Sequence, residues 1–164
     1  MSETTARLLR HMAWANHRVL SAVKELPDHA LGAYIANSEW TAAHILQHIV
    51  DGADWYVFCL TGALSGNIKL PESTKGLDIL QEQLAEFDAR ISSQSELPDE
   101  YLTIKEENES WQALRSTILA QAIYHAIEHR TQLIDALESK GFSPILLDEV
   151  DMWQYGKFER EQHH

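Results

Sequence analysis

Two pairs of histidines stand four residues apart in this chain, His125 with His129 and His44 with His48. Residues at that spacing project from one face of a helix, one turn above the other, so two imidazoles can grip the same small cation. Spacing alone carries little weight, because 9 histidines in 164 residues supply roughly half of one such pair by chance. Position carries more. His125 and His129 fall within an apolar stripe that reads Trp111, Leu114, Ile118, Ala122, Leu133 and Ala136. Burying two imidazoles a turn apart leaves ring nitrogens in need of partners, at roughly 1–3 kcal/mol for each group left unsatisfied. A shared cation satisfies both.

A third ligand would complete such a site. His48 is the candidate, because it shares a helical face with Ile45, Gly52, Trp55 and Cys59, whereas His44 lies further round the wheel. Three neutral imidazoles from two helices, with water at the open position, describe a catalytic zinc site, and nitrogen ligands also suit nickel, iron or copper. Other catalytic templates are missing. There is no His-Glu-x-x-His, no repeated Glu-x-x-His, no Gly-rich phosphate loop and no Gly-x-Ser-x-Gly. Cys59 shares the His48 face but lies roughly 16 Å along the axis, and it reads as a small buried hydrophobe.

The elements that must position these residues are helical. The first segment runs from Glu3 to Leu26, with Asn16 the lone polar residue on its inner side, and ends at Pro27. A second starts at a cap, Ser38 or Thr41, and stops before Gly62. Leu77, Leu80, Leu84, Phe87 and Ile91 give a third with a purely structural stripe. The polar stretch from Ser92 to Ser110 is the longest connection, briefly extended at Tyr101 to Ile104. A fourth helix starts at Asn108 or Ser110 and ends at Lys140 and Gly141. Residues Leu147 to Phe158 form a short last helix with Asp148 as its cap. The expectation is an all-α fold, a four-helix bundle in one domain over residues 1–164, with a long connection before the last long helix. Bundle cores are common places to build metal sites.

Composition narrows the function classes. A net charge of −12 repels a phosphate backbone, so no nucleic-acid partner is expected. No apolar run is long enough for a membrane span, and the N-terminus lacks the apolar core of a signal peptide. The single cysteine excludes an internal disulfide and fits a reducing compartment. A cytoplasmic location follows as an expectation. His163 and His164 are set aside, as either native residues or the remnant of a tag.

Trp14-Ala-Asn16, the stretch Glu39-Trp-Thr-Ala-Ala-His-Ile-Leu-Gln-His48, and His125-Ala-Ile-Glu-His-Arg-Thr-Gln132 followed by Gly141-Phe-Ser-Pro144 together resemble the DinB/YfiT-like family of metalloenzymes. Its members are four-helix bundles with a three-histidine metal site. The resemblance covers most of the chain and places His48, His125 and His129 at the three ligand positions. The family's usual Glu a turn or so beyond the first ligand is replaced here by Asp51 or Asp54.

Some relatives transfer small thiols such as bacillithiol, or isomerise substrates with mycothiol, and family bundles often pair. The resemblance therefore implies a divalent metal, zinc or nickel first and iron or copper next, in an enzyme of the small-thiol S-transferase type. A small-molecule thiol or electrophile is the partner, Gln132 supports a ligand, and Trp55 and Tyr56 wall the pocket. The competing reading is a non-catalytic or structural homodimeric bundle, paired through Trp14 or Trp153.

Overall fold

The computed structural model describes residues 2–64 and 66–162; His163 and His164 lie outside the described residues. Helix α1 (Glu3–Lys24) starts at Ser2, whose Oγ accepts the N–H of Thr5, and buries Leu9, Met12, Asn16, Leu20 and Val23. It stops two residues before the expected Leu26, as the chain turns towards Pro27. Helix α2 (Ala42–Thr61) is capped by Thr41, whose hydroxyl accepts the N–H of His44. Gly62 closes it at φ 77°, a left-handed conformation that glycine adopts without the steric penalty of a Cβ. Helix α3 (Leu77–Ser93) buries the expected apolar stripe and, within it, Asp88.

The long connection differs from expectation. Tyr101–Lys105 (β1) pairs antiparallel with Ser110–Leu114 (β2), Tyr101 opposite Leu114 and Lys105 opposite Ser110. The fourth helix therefore does not begin at Asn108 or Ser110. Helix α4 (Arg115–Glu138) starts where Leu114 is still extended, and Trp111 lies on the strand, 39% exposed. The arginine at that junction is buried and fully engaged. Its guanidinium donates to the Pro98 carbonyl at 3.0 Å, Gln94 Oε1 at 2.7 Å and Glu100 Oε1 at 2.8 Å. Its backbone N–H donates to the Glu100 carbonyl. At the hairpin tip the N–H of Glu106 donates to the Glu109 carbonyl.

Helix α5 (Met152–Gln162) is capped by Asp151, whose Oδ1 accepts the N–H of Gln154 at 2.8 Å, rather than by Asp148. Asp148 belongs to a separate 3₁₀ turn, Leu147–Glu149. Helix α5 lies against α1, where Tyr155 and Phe158 pack on the half-buried Trp14.

The four long helices form the expected bundle. Helix α2 packs between α3 and α4, and α1 against the same two, so the order around the bundle is α1, α3, α2, α4. Successive helices α1 and α2, and α3 and α4, thus face each other across a diagonal, not simple up-down-up-down. The α2–α4 seam carries the histidines. No helix among the described residues is long and apolar enough to cross a membrane.

Candidate metal centre

His48 reaches into the α2–α4 seam from α2, and His125 and His129 reach it from α4. One nitrogen of each lies within 4.8 Å of the others, and all three side chains are half-buried. Ring centroids are 4.9 Å apart for His48 and His125, 4.4 Å for His48 and His129, and 4.3 Å for His125 and His129. Nε2 of His125 stands 3.2 Å from Nε2 of His48. Two nitrogens on one tetrahedral zinc would be about 3.4 Å apart. The donor set thus fits a small divalent cation.

Backbone geometry makes room for this convergence. A Cβ on Gly52 would come within 2.2 Å of His125 Cε1, so only glycine on α2 lets that ring lie against the helix. Burial disfavours the charged form of His48 and His125, and neutral imidazole is the form that ligates a metal. Burial pushes His125 down to about 4, helped by His129 and His48. Burial, then His129, also holds His48 below the ordinary imidazole value.

The proton on His129 is fixed by its neighbours. Its Nδ1–H donates to Gln132 Oε1 at 2.9 Å, and the same oxygen accepts Trp40 Nε1–H at 3.2 Å. The proton on Nδ1 leaves Nε2 with a free lone pair, the role a supporting hydrogen bond plays for a ligating histidine. Trp40 also covers the cluster, its ring 5.2 Å from His48 and 6.1 Å from His129. The ring of Tyr56 lies 5.5 Å from that of His125, as a pocket wall would. Trp55 turns instead onto Phe58, at 5.3 Å.

Other candidates separate from the cluster. Nδ1 of His44 is bonded to the Thr41 hydroxyl at 2.9 Å. Asp51 is exposed, and Asp54 is buried with its Oδ2 accepting the N–H of Gly66 at 2.9 Å. Cys59 is buried, and burial pushes its thiol up to about 11, far from a reactive thiolate.

Behind the histidines lies a polar chain. Arg130 Nη1 donates to Asn16 Oδ1, and Asn16 Nδ2 donates to Asp88 Oδ2 at 2.9 Å, joining α4, α1 and α3. Burial raises the Asp88 carboxyl to about 7 against the opposing pull of Asn16 and Arg130. Burial lowers Arg130 to about 10, which leaves it charged at neutral pH. Asn16 was the visible member of this chain. Asp88, four residues after Leu84 and three before Ile91, signals its inward face by spacing alone, and Arg130 follows directly on His129.

The sequence pattern of the DinB family matches residues 1–161. The chain belongs to the DinB family. No curated protein and no solved structure matches it. For this DinB-family chain, membership over nearly its whole length and the three-histidine cluster are both compatible with metal binding.

Proposed function

We propose that His48, His125 and His129 hold one divalent metal ion, zinc or nickel ahead of iron or copper, at the centre of a small-thiol S-transferase. The observation that carries this reading is the approach of three imidazoles from two helices, with Gly52 opened to admit one of them. A divalent cation there favours thiolate over thiol, so a small thiol becomes nucleophilic at neutral pH. The chain's own residues supply the rest. Gln132 holds His129 in the tautomer that presents Nε2, and Trp40 covers one side of the cluster. Tyr56 bounds the side of His125. Three protein ligands leave a coordination position for the small molecule.

Metal analysis of tag-free protein is the test, with His48→Ala and His129→Ala alongside. The expected result is about one ion per chain, removed by either substitution; metal retained in both variants would overturn the ligand set. Transfer is then assayed with a panel of small thiols and electrophiles. Trp153, 82% exposed on α5, favours a second reading in which the bundle pairs with a copy of itself. Light scattering on Trp153→Ser, expected to shift a dimer to monomer, tests it.

A further inference from the structure

We infer that Asp88 is a positioning residue for the metal centre, holding the His125 imidazole through one water in the bundle core. The inference rests on the metal-binding reading above. Asp88 is 2% exposed; Oδ2 accepts from Asn16, while no described residue donates to its buried Oδ1. A buried carboxylate oxygen without a donor carries a desolvation cost that a partner relieves. Asp88 and His125 line the same internal cavity, of about 10 Å³, with Asn16, Tyr56 and the small walls of Ala122 and Ala126. That volume is about what one water needs, provided two or more polar groups meet it.

Among the described side chains that line the cavity, Asp88 Oδ1 is a buried acceptor without a donor, and the His125 ring can supply one. Asn16 uses its carbonyl on Arg130 and its amide on Asp88, and the Tyr56 hydroxyl bonds to Gln121. His125 turns Nε2 towards His48, so its remaining nitrogen is Nδ1. When Nε2 offers its lone pair to a cation, Nδ1 carries the proton and is a donor. A water that accepts Nδ1–H and donates to Asp88 Oδ1 completes both groups. Gln132 does this directly for His129; Asp88 does it at one remove for His125. The Arg130–Asn16–Asp88 chain then has a purpose beyond cohesion. It anchors the carboxylate that orients a ring on the far side of the cavity.

Three measurements test the link. In a high-resolution crystal structure of the zinc-loaded wild-type protein, a water is expected within hydrogen-bond distance of both Asp88 Oδ1 and His125 Nδ1. Asp88 also borders a wider α1–α3 cleft of about 260 Å³. A dry inner cavity, or a water reaching Oδ1 only from that cleft, would overturn the proposal without any variant having to fold. In folded Asp88→Asn, zinc affinity measured by competition should fall about tenfold, as for other groups that support metal ligands. The ring ¹⁵N resonances of His125 should shift while those of His44 stay. Val19→Ala, a buried change away from both cavities, should lower thermal stability and leave affinity alone. Unchanged affinity and resonances in Asp88→Asn, with zinc still bound to the three histidines, would sink this inference alone. A wild-type protein that binds no metal would sink the metal centre as well.

Discussion

The ring of His125 occupies the space where a side chain on residue 52 would begin, 2.2 Å from the Cβ that Gly52 lacks. Contact that close forces a shift, and the ring is the part free to swing. Gly52→Ala should therefore keep the fold, because alanine in a helix gains about 0.5–1 kcal/mol over glycine. It should nevertheless cost most of the metal affinity. Calorimetric zinc titration beside thermal unfolding checks both halves; full affinity in Gly52→Ala would show that the close approach has no role.

Gln132→Leu removes the acceptor shared by His129 and Trp40. His129 is then free to change tautomer, and zinc affinity should weaken roughly tenfold. Gln132→Glu retains an acceptor oxygen and should bind more tightly than Gln132→Leu. Equal affinities for the two variants would contradict a hydrogen-bonding role.

Trp40 lies against two of the three rings, while the protein has 5 tryptophans. Metal binding should change the intrinsic fluorescence, and Trp40→Phe should abolish most of that change while leaving a measurable site. A response that survives in Trp40→Phe would place the reporter elsewhere.

Acid stability carries a signature of His125. In the unfolded chain residue 125 takes up its proton below about pH 6.5, whereas the folded chain resists until about 4. Between those values the unfolded state binds more protons, so stability falls as pH drops through the window. Asp88 acts in the opposite sense, since its carboxyl, raised to about 7, gives stability that is lost as pH rises towards that value. The difference between metal-free wild type and His125→Gln isolates the histidine. Denaturant unfolding from pH 7 to 4 should show a shallower acid loss in the variant; parallel curves would refute the assignment.

Cys59 should react slowly with a thiol reagent at pH 8 in the native protein and rapidly in denaturant, since burial raises its thiol to about 11. Cys59→Ala should retain metal and any transfer activity. Loss of activity with metal retained would make the cysteine a participant.

The helices and the histidine triad were legible because each is written as a period. His48, Gly52, Trp55 and Cys59 mark one face of α2, and His125 with His129 continue the stripe of α4. That same regularity concealed β2. Trp111 and Leu114 extend the helical spacing of Ile118 and Ala122, yet their partners are Ile104 and Tyr101 across a hairpin, a pairing no local pattern records. The contacts of Trp40 and Asp88, as distinct from their positions, were hidden differently. Trp40 precedes its helix and reaches the site through tertiary packing, and Asp88 is a carboxylate whose burial depends on Asn16 and Arg130 from two distant segments.

The bonds that Arg115 makes to Gln94, Pro98 and Glu100 fasten the start of α4 directly to the end of α3. Ile104 still packs in the core, and what is bypassed is the outer end of the hairpin. The tip at Glu106 to Glu109 can lengthen, shorten or carry a grafted peptide without altering where the histidine helix begins. The tip is thus the natural place for an insertion in this protein, with the clasp beneath it holding the histidine helix in place.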